Sequence, residues 1–481
     1  MKHAWIPALA VVVAAHTAGA GNLTQENADR VKAVIDAAVI AHGGPQGLGS
    51  LKTLLVRHES INFAVGQSRG TEPPWDESES TGFDAVDLEN AVFVTRATFD
   101  GGGFEGHAGT IVDGEESVQL DLRAGTVARI AEPDFATASG PFVRVTPALL
   151  VRTLKERAAN AYYLGETRLA GREHDVIGFS MAVGPAITLY FDRKDHALRR
   201  SERLLPGAGL VQYEFDDYRK VDGILINGRF RLLLNGDRNI ERVNVSATVN
   251  QPLGELASVA AGLEAIPAVE PDPLTRQEVA EGIWLIGGNN TYAMFVDMGE
   301  YIFAAGGTAG IPERIASLRE VAGEKPIRYG MLTHHHFDHV VGVPAYEAEG
   351  ATVIAAATHE KIARRAAENG DALKLTAVSE RMTLESGNRR IEIIDIGPTA
   401  HTEHLLVAWL PGEGILFEAD HFALPQAGPI PPAVSSTRTF HEALLRHELA
   451  VRRFLSAHSP RIGTMDELRA ALQAEVYQAR R

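Results

Sequence analysis

Apolar and polar residues alternate in one way in the first half of the chain and in another way in the second. Apolar residues recur at helical spacing over residues 26–41. Alternation typical of strands follows over residues 186–191, 197–205, 210–218, 229–234 and 239–249. Asp222-Gly223 and Asn235-Gly236 supply turns between strands. This half therefore predicts a mainly antiparallel β domain with flanking helices.

In the second half, strand patterns alternate with helical patterns. Strands are predicted within residues 282–286, 293–305, 351–355, 391–396 and 405–410. Helices are predicted over residues 312–322, 359–369, 441–455 and 466–480. Such alternation is what an αββα sandwich needs, because helices then cover both outer faces of two packed sheets. The predicted fold class is α+β.

The chain of 481 residues is long enough for two or three domains. Residues 1–20 have the pattern of a secretory signal peptide, with Lys2, an apolar stretch over 5–15 and small residues at 18–20. The stretch is too short to span a membrane, and no later segment qualifies. We divide the rest into a β-rich domain (21–250), a proline-punctuated linker (251–274) and a C-terminal domain (275–481). The signal-peptide pattern predicts a periplasmic or secreted protein.

Charge and composition narrow the choice of partners. The net charge of -16 argues against nucleic-acid binding, which needs a basic surface to displace counterions. Cysteine is absent, which excludes a disulfide framework and thiolate metal ligands. We expect a small-molecule substrate and no nucleic-acid partner.

The run from Thr333 to His339 holds four histidines and one carboxylate within seven residues. Imidazole nitrogens and carboxylate oxygens at this density indicate a transition-metal site. A cluster of solvated loop histidines is the alternative interpretation. The strand pattern before the run ends at Leu332, so the histidines are expected on a tight loop.

The spacing His-x-His-x-Asp-His resembles the signature of the metallo-β-lactamase superfamily. Its only fitting register starts at His334, and His335 then becomes a variable position that faces away. Three later segments are similar to further motifs of that family: His401-Thr402, the stretch ending at Asp420, and the loop around His458. The resemblance implies that one metal is bound by His334, His336 and His401, the other by Asp338, His339 and His458, and that Asp420 bridges them. It also assigns a catalytic role to Asp338.

One position departs from the family pattern. Relatives carry a carboxylate that orients the metal ligands after the opening hairpin, where this chain has Ala305. This puts the metal affinity in doubt but leaves the fold unchanged. The N-terminal half in turn resembles the open β-barrel of outer-membrane lipoprotein carrier proteins, through short motifs.

The resemblance implies a metal-dependent hydrolase with two zinc ions, or iron or manganese in their place. A metal-bridging hydroxide would cleave an ester, thioester, lactone or related bond. One alternative is an iron-dependent redox enzyme of the same fold. Another is an envelope ligand-binding protein whose metal site is structural.

Several residues near these motifs need separate interpretation. We interpret His404, His421 and His441 as packing or surface residues. The proline-rich loop 424–432 is expected to wall the active site. The glycine-rich stretch 100–107 lacks the lysine of a phosphate-binding loop, so we expect a hairpin turn there.

Overall fold

The computed structural model describes residues 22–114, 116–205, 209–268 and 272–478. The signal peptide predicted over residues 1–20 lies outside the described residues. Among those described, no helix has the length and apolar character to cross a membrane.

The N-terminal half is built mainly from strands. Its helices are α1 (Leu23–Ala41), α2 (Gly44–Gly49), α3 (Phe135–Val145) and α4 (Pro147–Glu156). Its first strands are β1 (Thr53–Phe63), β2 (Glu77–Asp87), β3 (Val92–Gly101), β4 (Phe104–Val112), β5 (Val118–Asp121), β6 (Thr126–Arg129), β7 (Tyr162–Leu169) and β8 (Arg172–Phe179). They are followed by β9 (Ile187–Asp192), β10 (Leu198–Leu205), β11 (Gly209–Asp216), β12 (Arg219–Val221), β13 (Ile224–Ile226), β14 (Arg229–Leu234), β15 (Asp237–Val249) and β16 (Glu264–Ile266).

Within the described residues, fourteen of these strands form one sheet in the order β16-β6-β5-β4-β3-β2-β1-β15-β14-β11-β10-β9-β8-β7. All neighbours are antiparallel except β16 and β6. The helices α1 and α4 pack against a large apolar core that this sheet contributes. The prediction of a mainly β domain with flanking helices is therefore confirmed. The likeness to lipoprotein carriers stays a prediction.

The C-terminal half alternates strands and helices. Its strands are β17 (Thr275–Ala280), β18 (Ile283–Gly288), β19 (Thr291–Asp297), β20 (Ile302–Ala305), β21 (Ile327–Met331), β22 (Thr352–Ala356) and β23 (Leu375–Val378), then β24 (Arg381–Ser386), β25 (Arg389–Asp395), β26 (Leu406–Leu410), β27 (Ile415–Glu418), β28 (Arg453–Ser456) and β29 (Gly463–Thr464). Its helices are α5 (Ile311–Ala322), α6 (Phe337–Val340), α7 (Val343–Ala348), α8 (Glu360–Ala366), α9 (Ser435–Arg446) and α10 (Met465–Gln473).

These strands form two sheets, β17 to β23 and β24 to β29, each in sequence order. One apolar core, which includes Phe303 and Phe417, receives side chains from both sheets. A second core holds α5 and α7 against the first sheet, and a third holds α9 and α10 against the other. Two packed sheets with helices outside are the predicted αββα sandwich, which is confirmed.

One predicted helix, over residues 441–455, is wrong in its second half. The helix α9 begins earlier, at Ser435, and the chain then enters β28, which runs parallel to β27. Glu448 has a φ of 52°, which breaks the helix. The buried pair Phe454 and Leu455 fills the core from a strand. A short apolar run fits either element by pattern, and tertiary packing decides between them.

The segment assigned as linker carries some structure of its own. The strand β16 lies within residues 251–274 and adds to the edge of the N-terminal sheet beside β6. Tyr292 in the C-terminal sandwich donates its hydroxyl hydrogen to Asp272 at 2.5 Å. The segment is therefore anchored to both halves, and the domain boundaries stay a prediction.

Candidate metal centre

The predicted metal ligands follow four strands of the sandwich, β21, β25, β27 and β28; five lie on loops, and Asp338 and His339 lie in the short helix α6. The structure brings all seven side chains together in two groups, His334, His336, His401 and Asp420 in the first and Asp338, His339 and His458 in the second. Within each group, the atoms able to bind a metal lie within 4.8 Å of one another. Their role as ligands stays a prediction, and the geometry allows its fit to be examined atom by atom.

In the first group, three buried nitrogens lack a hydrogen-bond partner among the described residues. They are Nε2 of His334, Nδ1 of His336 and Nε2 of His401. The Oδ2 atom of Asp420 lies 3.2 Å from the first and 3.4 Å from the last. Buried polar atoms are almost always paired, so unpaired nitrogens that converge beside one carboxylate need an explanation. A cation held by these atoms would supply it, and the donor set fits a transition metal.

The second group has the spacing that a tetrahedral metal requires. The Nε2 atoms of His339 and His458 are 3.1 Å apart, and Oδ2 of Asp338 lies 3.5 Å from the former. Two ligands each about 2.1 Å from one tetrahedral metal lie about 3.4 Å from each other. The Nδ1 atom of His458 donates to the carbonyl of Asn290 at 2.8 Å. Its Nε2 lone pair is therefore free for a metal.

Asp420 stands between the two groups. Its Oδ2 atom is 2.8 Å from Nε2 of His339, and its Oδ1 atom is 3.2 Å from Nε2 of His458. The residue has a φ of 65°, a left-handed conformation that aspartate tolerates better than most residues. The sharp turn after β27 thus presents one carboxylate to both groups, as a bridging ligand requires.

Burial and charge set the protonation of these groups. Burial, together with the neighbouring imidazoles of the cluster, holds the pKa of His334 and His336 well below 6.5. Burial opposes ionisation of Asp420, but the nearby imidazoles of His339 and His334 favour its charged form and hold its pKa well below 3.8. Neutral imidazole and ionised carboxylate are the forms that bind metals.

The N-terminal domain covers this centre with the loop 64–76 between β1 and β2. The carbonyl of Ser68 accepts a hydrogen bond from Nε2 of His336 at 2.9 Å. A carbonyl only accepts, so Nε2 carries the hydrogen and Nδ1 presents its lone pair to the first group. The amide of Gln67 donates to Oδ1 of Asp338 at 2.8 Å, which leaves Oδ2 facing His339.

The turn between β3 and β4 makes a similar contact. The carbonyl of Gly102 accepts a hydrogen bond from Nδ1 of His401 at 2.8 Å, which frees Nε2 of that histidine. The ring of Phe104 packs edge-on against His401, with centroids 5.1 Å apart. Gly103 has a φ of 84°, and a Cβ atom there would lie 3.0 Å from the carbonyl carbon of Ala400. Glycine at this position therefore permits the turn to reach the ligand.

The sequence pattern did not reveal these N-terminal contacts. Gln67 and Ser68 belong to no ligand motif, and carbonyl groups carry no sequence signature. The glycine-rich stretch was the only available signal: it predicts a hairpin turn, and the structure places that turn on His401. A search for glycines that permit close backbone approach would have singled it out.

Two positions, His335 and Ala305, were not assigned as metal ligands: the first was expected to face away, and the second replaces a carboxylate found in relatives. His335 faces away from both groups, donates from Nε2 to the carbonyl of Gly70 at 3.1 Å and packs beside His359. Ala305 is fully buried at the end of β20. With no carboxylate there, the hydroxyl of Thr333 lies 3.5 Å from Nδ1 of His339.

A buried acid also lies next to the centre. Glu418 is fully buried, and burial raises its pKa to about 7. It accepts a hydrogen bond from the backbone N–H of His421 at 3.0 Å.

Three histidines near the motifs were interpreted as packing or surface residues. His404 pairs with Asp395 at 2.7 Å, and His441 joins neither ligand group. His421 is buried, with Nε2 2.9 Å from the hydroxyl of Thr399, which agrees with a packing role.

Residues 288–458 match the family model of the metallo-β-lactamase superfamily, so the C-terminal domain is metallo-β-lactamase-like and the resemblance inferred from its motif is confirmed. Among solved structures, the chain is similar to a metallo-β-lactamase from Pontibacter korlensis (18% identity, TM-score 0.35, 42% of this chain and 100% of that one). It is also similar to DIM-1 metallo-β-lactamase (19%, 0.34, 42% and 96%) and to FIM-1 from Pseudomonas aeruginosa in its mono-zinc form (20%, 0.31, 43% and 96%). No curated protein matches the chain.

Proposed function

We propose that this protein is a metal-dependent hydrolase that cleaves an ester, thioester, lactone or related bond in a small molecule. The observation that carries the proposal is the pair of ligand groups with one carboxylate, Asp420, between them. These residues would hold two metal ions, which would activate water and polarise the bond to be cleaved. Zinc fits a set of imidazole and carboxylate ligands without thiolate, as do iron and manganese.

The side chains divide the remaining work. Asp420 keeps its charge because the surrounding imidazoles favour the ionised form, so it offsets part of the cationic charge of the centre. The side chain of Asp338 is 40% exposed, and Gln67 occupies only its Oδ1 atom. Asp338 is thus the most exposed side chain of its ligand group, and we assign its carboxylate the catalytic transfer of a proton to the leaving group.

The test is a hydrolysis screen with the full chain after loading with zinc, manganese or iron. Thioesters, lactones, carboxylic esters, phosphodiesters and β-lactams are offered, and metal content is measured in the same samples. Activity on a carboxylic ester, thioester or lactone that is lost in Asp420→Ala and kept in the control His441→Ala supports the proposal. Hydrolysis of none of the bonds refutes it. Iron content with oxygen consumption and without hydrolysis would favour a redox enzyme instead.

A further inference from the structure

A cavity of about 370 Å³ lies between the N-terminal sheet and the C-terminal sandwich. The side chains of Asp420 and His458 form one end of it, so the cavity reaches the metal centre. Its size is within the range of small-ligand sites, roughly 300–1,000 Å³. Neither half of the chain encloses this space alone, because β4 of one domain and the loop 424–434 of the other face each other across it.

The lining of this interdomain cavity is mainly apolar, with side chains from both domains: Phe99, Phe104, Phe422, Leu424, Ile430 and Pro431. Phe99 is 43% exposed although it is a large aromatic residue. Covering an exposed aromatic side chain at a cavity rim with a ligand removes apolar surface from water and so favours binding.

The charged groups of the inner wall are already paired within the described chain. Arg123 donates to the carbonyls of Pro432 and Ala433 at 2.5 and 2.9 Å. Glu105 accepts from the backbone N–H of Ser435 at 3.2 Å and from its hydroxyl. These bonds fasten the two walls together and leave neither charge available to a ligand.

The polar groups nearer the mouth of the cavity also provide no charge that would bind an anionic ligand. Asp121 accepts hydrogen bonds from the backbone N–H groups of Arg123 and Ala124, and it is exposed. His107 is an exposed imidazole at the rim. Away from the metal centre, an anionic group on the ligand would therefore lose its hydration without gaining a buried cation, which is unfavourable.

The space continues beyond the first cavity. A second cavity of about 510 Å³ shares Ala108, Leu424, Pro431 and His458 with it and runs on along β5 and β6 toward Ile266. Both cavities therefore adjoin the metal centre at His458, and their shared lining of Ala108, Leu424 and Pro431 is apolar.

We propose that the interdomain cavity binds an uncharged alkyl or acyl chain of medium length, and that the natural substrate is an ester or thioester carrying such a chain. The inference rests on the proposed hydrolase function and adds the substrate class. The chain would lie between Phe104 and Leu424, with the carbonyl to be cleaved at the Asp420 and His458 end.

Ala108 allows the cavity to be filled without disturbing a core. It is exposed on β4 and lines both cavities, so Ala108→Phe should occupy the space that the chain needs. The matched control is Ala377→Phe, at an exposed alanine of strand β23 that lines neither cavity. The substrates are the p-nitrophenyl esters of acetic acid, octanoic acid and octanedioic acid, the last with a free terminal carboxylate.

In the metal-loaded wild type, kcat/KM for the octanoate should exceed that for the acetate by at least about tenfold, because apolar pockets discriminate by about that much per methylene. The kcat/KM for the octanedioate should be close to that for the acetate. Ala108→Phe should remove the advantage of the octanoate over the acetate and leave metal content unchanged, whereas Ala377→Phe should change none of these values. Equal rates for acetate and octanoate, or equal effects of the two variants, would overturn the inference while leaving the hydrolase proposal intact.

A binding measurement separates the two proposals if no ester is cleaved. Calorimetric titration with octan-1-ol should show binding with a negative heat-capacity change, weakened at least about tenfold in Ala108→Phe. Binding of this kind without hydrolysis of any bond in the screen would refute the hydrolase and support the apolar site. Absence of octanol binding to the wild type would overturn the inference whatever the activity.

Discussion

Gln67 offers a direct test of whether the N-terminal domain tunes the metal centre. Its amide donates to Oδ1 of Asp338 at 2.8 Å and so orients Oδ2 toward His339 and His458. In Gln67→Leu, the side chain keeps a similar size but no longer donates a hydrogen bond. Asp338 then turns more freely, and the second metal loses a well-oriented ligand.

The size of the effect follows from the exposure of Asp338. Loss of a partner that orients a metal ligand costs about 10- to 100-fold in affinity, or roughly 1.4 to 2.7 kcal/mol. The carboxylate is 40% exposed, so water replaces part of the lost hydrogen bond. We therefore expect the lower end, about tenfold, for the second metal. The first metal should be unaffected, because the side-chain hydrogen bond of Gln67 goes to Asp338, a ligand of the second group.

The assay is competition between the full chain and a chromophoric zinc chelator, which resolves two binding steps. Only the weaker step should shift in Gln67→Leu. The control Gln212→Leu removes a similar hydrogen bond, from Gln212 to Glu202 at 2.7 Å, far from the metal. A parallel shift of both steps, or an equal shift in the control, would refute the view that Gln67 acts through Asp338.

Three other predictions concern the ligand register, the role of the N-terminal domain and the pH dependence of stability. Asp420→Ala should release at least one of two bound metals and abolish hydrolysis, whereas His335→Ala should retain metal; elemental analysis checks both, and an emptied site in His335→Ala would contradict the register. A fragment of residues 275–481 should bind zinc at least about tenfold more weakly than the full chain in chelator competition, because the carbonyls of Ser68 and Gly102 are missing. Equal affinity would show that those carbonyls do not matter. Burial lowers the pKa of His42 to about 4, so the unfolded chain binds the extra proton between about pH 6.5 and 4, and stability falls as the pH falls through that window. Urea unfolding should show a loss of about 2–3 kcal/mol between about pH 7.5 and 4.5 that His42→Gln lacks, and an identical pH dependence of the variant would refute this assignment.

The sequence was most informative where function is encoded locally. The pair His334 and His336 and the pair Asp338 and His339 are close in the chain, so their spacing alone predicts that they converge. Strands such as β9 and β11 were also predictable, because alternating burial leaves a pattern of period two. The second half of residues 441–455 was not, because a strand buried on both faces and a short helix share the same apolar run.

Nonlocal backbone contacts account for most of what the sequence could not show. The carbonyl of Ser68 meets His336 across 268 residues of chain, and that of Gly102 meets His401 across 299. Every residue has a backbone carbonyl, so nothing in the amino-acid sequence distinguishes the carbonyls of Ser68 and Gly102. Sequence alone predicts that a domain holding every ligand needs nothing from its neighbour, and the hydrogen bonds change that expectation.

These contacts also couple the two halves of the chain through the metals. The backbone N–H of Glu403 donates to the carbonyl of Arg69 at 3.0 Å, and that of Ser436 donates to the carbonyl of Gly103 at 2.8 Å, so docking extends beyond the ligands themselves. Linkage is reciprocal: if docking of the N-terminal loops raises metal affinity by a given factor, bound metal must favour docking by the same factor. The interdomain cavity exists only in the docked arrangement. Metal loading should therefore stabilise the space beside the metal centre as well as the chemistry at that centre.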